Sequence, residues 1–95
     1  MSKHPYRSEL GMILNILEVA KEYGVQGTII TSIARRANLS HYAAIDKCQK
    51  LIDSGLMESR MDKKSNIFII TERGIHFLNE LQKVVETAQS IKIRC

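Results

Sequence analysis

The stretch IARRANLSHYAAIDKCQKLIDSG, residues 33–55, restricts the fold more than any other part of the chain. Its apolar residues recur at steps of three and four on both sides of Asn38, which predicts two helices separated by a tight turn. Asn38 suits the left-handed backbone conformation that ends a helix, and Ser40 suits the N-cap of the next one. We therefore expect a short helix over about residues 29–37 and a longer one over about residues 41–54.

Another helix is predicted before this unit. Ser8 is suited to begin it and Gly24 to end it, and the apolar residues between them recur at helical spacing over about residues 8–23. The predicted core positions of the three helices are Leu10, Ile13, Leu14, Leu17, Ala20, Tyr23, Ile29, Ile30, Ile33, Ala34, Ala37, Ala44, Ile45, Cys48, Leu51 and Ile52.

After the third helix the apolar pattern changes to the period of a strand. LMESRM, residues 56–61, alternates as a half-buried strand does, and IFII, residues 67–70, is a short β-branched and aromatic run. The polar segment DKKSN between them is prone to turn, which predicts a hairpin with Lys63 and Lys64 at its tip. Thr71 is then suited to cap a last helix.

The predicted order is therefore helix, helix, helix, strand, strand, helix. A helix-turn-helix followed by a two-stranded hairpin is a winged-helix arrangement. We predict a mostly α fold with a small β-hairpin, in which residues 8–76 form a winged helix-turn-helix domain. Residues 1–7 are expected to form a basic N-terminal arm, and residues 77–95 an extended C-terminal helix for dimerisation.

The charge of the chain is basic and unevenly distributed. The formal net charge is +4, and the excess of bases lies in residues 1–7 and 28–70, whereas the first helix is acidic. Such a balance fits a polyanionic partner. No apolar run approaches the ~20 residues needed to cross a membrane, and the N-terminus lacks the apolar core of a signal peptide. We expect a cytoplasmic protein with access to a nucleoid.

The outer face of the long helix is the candidate site, because an α-helix fits the major groove of B-DNA and its side chains reach base edges there. The candidates for base-edge contact are Tyr42, Asp46 and Gln49, with Ser40 and His41 in the turn nearest the DNA. The candidates for phosphate contact are Arg35, Arg36, Lys47 and Lys50 on the helices, Arg60, Lys63 and Lys64 on the wing (residues 60–66), and Lys3 and Arg7 on the arm.

Each assignment has a structural alternative. Any surface helix has a polar outer face, and Tyr42 can equally pack over its own helix. Asp46 is unfavourable beside phosphate and can instead pair with Lys50 four residues later. Arg36 can pair with an acid of the first helix, and a hairpin tip usually carries solvated lysines. The presence of bases on two helices and the wing together favours double-stranded DNA as the partner.

The last helix carries a second apolar pattern. Ile75 and Leu78 are expected to pack on the first helix. Beyond Leu81 the domain is expected to end, which leaves an exposed apolar stripe that a partner must cover. Its spacing of four, three, four and three residues is that of a coiled-coil seam. We predict a symmetric homodimer with an interface made of Phe77, Leu81, Val84, Val85, Ala88 and Ile91, and two half-sites ~34 Å apart.

No sequence pattern indicates an enzyme. There is no catalytic triad, paired-carboxylate or phosphate-loop motif, and the histidines and cysteines lack metal-ligand spacing. We therefore expect no catalysis, metal or cofactor. Cys48 falls on the core side of its helix and Cys95 is the last residue, which predicts a buried thiol and a free terminal one. A protein-interaction module that binds through its C-terminal helix is the alternative function.

Three segments resemble the small archaeal winged-helix proteins: ANLSHY, LIDSGLME and IITERGIHFLNEL. The shared pattern falls on residues 37–40, 55–57 and 71–74. This group includes chromatin-associated dimers with a C-terminal coiled coil and the winged-helix domain of ArnR-like regulators. The resemblance implies the fold, DNA binding and a dimer through the last helix, but no target sequence.

Overall fold

The computed structural model describes residues 8–92, with the side chains of residues 8–90. The predicted basic arm (residues 1–7), the side chain of Ile91 and the terminal Cys95 lie outside the described residues. The elements are α1 (Glu9–Tyr23), a 3₁₀ turn (Gly24–Gln26), α2 (Ile30–Arg36), α3 (His41–Asp53), β1 (Met57–Asp62), β2 (Ser65–Ile70) and α4 (Glu72–Lys92). The predicted order of helices and strands is confirmed.

The helix boundaries follow from local side-chain chemistry. Ser8, Ser40 and Thr71 precede α1, α3 and α4, and each hydroxyl accepts a hydrogen bond from the backbone N–H three residues later, at 2.9, 3.0 and 3.0 Å. These bonds satisfy donors that have no partner within the helix. Asn38, between α2 and α3, has the expected left-handed backbone with φ of 58°. The predicted caps and the turn are confirmed.

The two strands form the wing. They pair antiparallel from Met57 opposite Ile70 to Asp62 opposite Ser65, so the turn consists of only two residues. On the other side of β2, the backbone of Thr28 exchanges hydrogen bonds of 3.1 and 2.8 Å with Phe68. No sequence pattern indicated this bridge, which holds the segment before α2 against the wing.

The hydrophobic core lies between α1, α2, α3, the base of the wing and the first turns of α4. Its fully buried large side chains are Ile16, Leu17, Ile33, Leu51, Met57, Leu78 and Cys48. The predicted inward faces of α1, α2 and α3 therefore supply the core, and Leu78 adds the α4 contribution that was expected.

Three predicted core residues are exposed instead. Leu10, Ile29 and Ile45 keep between 40% and 52% of their surface in solvent. Leu10 lies in the first turn of α1, whereas the buried residues of that helix begin at Ile16. Ile29 is the N-cap residue of α2, so it does not follow the helical face. Ile45 lies one residue beyond Ala44, about 100° around the helix from the core side.

The prediction of a half-buried β1 is wrong beyond its first residue. Met57 is buried, but every later residue of the strand is exposed, including Met61. The hairpin projects past the core, so alternation in its sequence does not produce alternation in burial.

The junction between the wing and α4 is tightly packed. The backbone N–H of Thr71 donates to the carbonyl of Leu56 at 3.1 Å, and its hydroxyl donates to the carbonyl of Gly55 at 2.8 Å. A Cβ on Gly74 would overlap the Leu56 carbonyl oxygen. Only glycine therefore allows α4 to begin this close to the end of α3.

Candidate nucleic-acid interface

Most of the outer face of α3 is exposed within the described chain, although the Lys47 side chain keeps only 13% of its surface in solvent. Ala44, Cys48 and Leu51 turn one side of the helix into the core. Tyr42 is 85% exposed, so the alternative that it packs over its own helix finds no support in its burial. Gln49 is also exposed and donates a hydrogen bond of 3.0 Å to the Asp53 carboxylate.

The two lysines of α3 are ion-paired. Lys50 Nζ lies 2.9 Å from Oε2 of Glu9 and 3.7 Å from Oδ2 of Asp46. Lys47 Nζ lies 3.0 Å from the same Asp46 oxygen and 3.9 Å from Oε1 of Glu9. The alternative that Asp46 pairs with Lys50 is therefore confirmed. The participation of Glu9 was missed, since it lies far away in the sequence.

These contacts shift the ionisation of the groups involved. The hydrogen bond from Lys50 lowers the pKa of Glu9, and the hydrogen bond from Lys47 lowers the pKa of Asp46. The hydrogen bond to Glu9 likewise raises the pKa of Lys50. Each group is thus held more firmly in its charged form at neutral pH.

The two arginines of α2 differ in their surroundings. Arg36 pairs with Glu22 of α1, which confirms the structural alternative for this residue. Its guanidinium also lies 5.5 Å from the centroid of the Tyr23 ring, and its hydrogen bond lowers the pKa of that phenol. Arg35 is exposed, and no carboxylate of residues 8–90 forms an ion pair with it.

The basic residues of the wing lie in two places, one within β1 and two at the tip of the hairpin. Arg60 Nη2 donates to the backbone carbonyl of Val25 at 3.3 Å, which ties the base of the wing to the 3₁₀ turn. Lys63 and Lys64 form the exposed tip, and neither has an ion pair among the side chains that the structure describes. The tip therefore carries charge that is free to meet an external anion.

One side of α4 packs on α1. Leu78 is buried, Gln82 donates to the Glu18 carboxylate at 3.0 Å, and Lys21 donates to Asn79 at 3.4 Å. Val85 shares this side and is half-buried. The expectation that Val85 would be exposed is therefore wrong, because α4 stays in contact with α1 beyond Leu81.

The other described residues of the predicted dimer interface lie on a neighbouring side of α4. Phe77 and Leu81 are half-buried, whereas Val84 is 63% exposed and Ala88 is exposed. Nothing in residues 8–90 covers the exposed part of this stripe. The predicted seam is thus apolar and open toward its C-terminal end.

The thiol of Cys48 is expected to be poorly reactive. Cys48 is fully buried on the core side of α3, as predicted. Burial raises its pKa to about 12, so it stays protonated at neutral pH.

Within residues 8–90, no three His, Cys, Asp or Glu side chains are grouped so as to hold a metal ion. None of the described helices is long and apolar enough to cross a membrane.

The architecture agrees with a comparison against known families. The family model described as winged helix-turn-helix matches residues 6–89. The chain belongs to the winged helix-turn-helix family. The predicted fold class is confirmed by this match, which covers most of the chain. A comparison with curated proteins gave no match.

Several solved structures share the fold of this winged helix-turn-helix protein. Sso10a-2, a DNA-binding protein from Sulfolobus solfataricus, has a TM-score of 0.68 and 20% identity, with 88% of this chain and 87% of that chain covered. BldR, a transcriptional regulator from the same organism, has a TM-score of 0.68 and 23% identity over 87% and 63%. The homodimeric winged helix-turn-helix domain of Mb0332 from Mycobacterium bovis has a TM-score of 0.69 and 22% identity over 90% and 77%.

Proposed function

We propose that this protein binds double-stranded DNA as a small transcriptional regulator or nucleoid-associated protein. α3 lies in the major groove and the wing, residues 60–66, lies on the sugar-phosphate backbone. The observation that carries the proposal is the exposed outer side of the first turn of α3, where Tyr42 is 85% exposed directly after the capped turn. An α-helix presented in this way matches the width of the major groove.

The family and the similar structures support this function. Sso10a-2 is described as a DNA-binding protein and BldR as a transcriptional regulator. Both share the architecture that places α3 and the wing on the surface. A chromosome is the expected partner of such a protein in the cytoplasm.

The residues have distinct roles in the proposed complex. Tyr42 and Gln49 contact base edges, and Asp46 accepts a hydrogen bond from a cytosine amino group. Ser40 and His41 approach the DNA at the start of α3. The cations on phosphate oxygens are Arg35, Arg36, Lys47, Lys50, Arg60, Lys63 and Lys64, with Lys3 and Arg7 of the N-terminal arm.

We also propose that α4 forms a symmetric homodimer, with the part of this helix from Phe77 onward as the dimerisation segment. The exposed Val84 and Ala88 continue the stripe begun by Phe77 and Leu81, while the neighbouring side of α4 is already occupied by α1. An exposed apolar stripe on a helix is favourable only when another surface covers it. The homodimeric state of the Mycobacterium bovis domain supports the proposal.

Fluorescence anisotropy with a labelled random duplex of about 30 base pairs, titrated at several salt concentrations, tests the DNA-binding function. We expect tight binding at low salt that falls as a power of the salt concentration, because each neutralised phosphate releases counterions. Absence of binding at low salt would contradict the proposal. The alternative, a protein-interaction module that binds through α4, would then be preferred, since the open stripe would remain its main feature.

Sedimentation velocity tests the dimer. The double variant Val84→Asp and Ala88→Asp places two carboxylates in the proposed seam, and we expect it to be monomeric while still folded. The matched control is Lys83→Asp, which changes the charge by the same amount on an exposed position outside the seam. A persistent dimer in the double variant would move the interface elsewhere.

A further inference from the structure

The two lysines proposed to contact phosphate from α3 already bind a carboxylate of another helix. Oε2 of Glu9 lies 2.9 Å from Nζ of Lys50, and Oε1 lies 3.9 Å from Nζ of Lys47. One carboxylate therefore spans both lysines, with one oxygen directed toward each. A DNA phosphate also has two anionic oxygens, so it can take the place of this carboxylate between the two ammonium groups.

The charges of this cluster cancel. Asp46 lies 3.0 Å from Lys47 and 3.7 Å from Lys50, so two lysines face two carboxylates. The Lys47 side chain is only 13% exposed, whereas the Lys50 side chain is 50% exposed. In the free protein this part of α3 thus offers little positive charge to an approaching DNA backbone.

Glu9 is held in place by its own helix. It is the first residue of α1, directly after the Ser8 cap, where the helix dipole favours a negative charge. Its partner Lys50 is 41 residues away in the sequence. The hydrogen bond from Lys50 also lowers the pKa of Glu9, which keeps the carboxylate ionised at neutral pH.

We propose that Glu9 is an intramolecular competitor of DNA phosphate, which occupies Lys47 and Lys50 in the free protein and is displaced when α3 contacts the backbone. The inference rests on the proposed DNA-binding function. Binding through α3 requires the lysines to exchange one anionic oxygen for another, and it brings phosphate close to the displaced carboxylate. Both effects weaken the complex, so Glu9 sets the affinity of the protein below what its lysines would otherwise give.

The variant Glu9→Gln tests this role, with Glu86→Gln as the matched control. Both remove one negative charge and keep the side-chain shape, but Glu86 is exposed and forms no ion pair within the described part of the chain. In the anisotropy assay at low salt we expect Glu9→Gln to tighten binding by roughly threefold to tenfold, with a salt slope steeper by about one phosphate contact. Glu86→Gln should change Kd by less than about twofold, as a substitution at a site remote from the backbone contacts.

A double-mutant cycle shows whether the effect passes through the two lysines. In a background with Lys47→Gln and Lys50→Gln, the gain from Glu9→Gln should fall to about twofold or less, because only the repulsion between Glu9 and phosphate remains. A gain of full size there, an equal gain in both glutamine variants, or weaker binding by Glu9→Gln would each overturn the inference.

The two proposals fail in distinguishable ways. If the wild type binds duplex with a normal salt slope and Glu9→Gln has the same Kd, only the competitor role is wrong. If no variant binds duplex at low salt, the DNA-binding function itself is wrong, and the competitor role is wrong with it.

Discussion

The helix α3 and the tip of the wing carry the same kind of residue in opposite situations. On α3, Lys47 and Lys50 are bound by Glu9 and Asp46. At the tip, Lys63 and Lys64 are exposed without an ion pair inside the described region. The sequence shows two pairs of lysines, but only the pair at the tip can bind an anion without first breaking an ion pair.

The number of basic residues in a region is therefore not a measure of the positive charge that the region offers to DNA. A free lysine gains a phosphate and releases counterions, whereas a paired lysine must first give up a carboxylate. Ion pairs between exposed groups contribute little to folding stability, so the pair of Glu9 with Lys50, whose side chains are both 50% exposed, matters more for binding than for the fold. The wing and α2 are therefore expected to supply most of the electrostatic affinity, and α3 the contacts to bases.

The largest effect is expected at the wing tip. Replacing Lys63 and Lys64 with Glu should weaken binding to a random duplex by about 100-fold at low salt and remove about two phosphate contacts from the salt slope. Anisotropy titrations at several salt concentrations measure both quantities. As a control, Lys83→Glu on α4 should leave the slope unchanged. A loss no greater than that of the control would remove the tip from the interface.

A smaller difference is expected between the arginines of α2. Arg35→Gln should weaken binding by roughly threefold to fivefold, as expected for one lost phosphate contact, because this guanidinium is exposed and unpaired within residues 8–90. Arg36→Gln should weaken binding less, since Glu22 already engages that guanidinium. Both are measured in the same assay, and thermal melts exclude a folding defect. The reverse order would mean that pairing in the free protein does not predict the DNA contact.

The paired lysines of α3 should have a still weaker influence. Replacing Lys47 and Lys50 with Gln should raise Kd by only about twofold to threefold, because their release from Glu9 and Asp46 offsets much of the gain from phosphate. A loss as large as that at the wing tip would show that the two regions contribute equally and would remove the contrast between them.

The smallest effect concerns stability and pH. The pKa values of Glu9 and Asp46 are lowered in the folded protein, so their contribution is present above the ordinary carboxyl pKa and is lost as the pH falls through the folded values. The wild type should therefore melt slightly above Glu9→Gln at pH 7, and the two Tm values should converge as the pH falls through the lowered pKa of Glu9. A Tm difference that stays constant with pH would exclude this ion pair as its cause, and Glu86→Gln should match the wild type over the whole pH range.

The elements of this fold could be predicted because their signals are local. Ser8, Ser40 and Thr71 begin helices through bonds that span three residues, and Asn38 adopts the conformation that its side chain tolerates. The change of apolar period at Gly55 likewise identified the hairpin from neighbouring residues alone.

The features that the sequence did not reveal depend on distant contacts. The bridge from Thr28 to Phe68 and the ion pair from Glu9 to Lys50 each join residues about 40 apart. No periodicity or spacing rule connects such positions. The half-burial of Val85 has the same origin, since it depends on how far α1 stays in contact with α4.

The glycine at the start of α4 has a consequence for any dimer joined through that helix. Gly74 and the hydrogen bonds of Thr71 fix the direction of α4 relative to the end of α3. In such a dimer, the two copies of α3 would therefore be held at one separation and one relative angle. Inserting one base pair between two half-sites rotates the second by roughly a tenth of a turn. The close packing at this joint opposes a reorientation of α4 that would follow that rotation. The torsional stiffness of the DNA would then decide which spacings are tolerated.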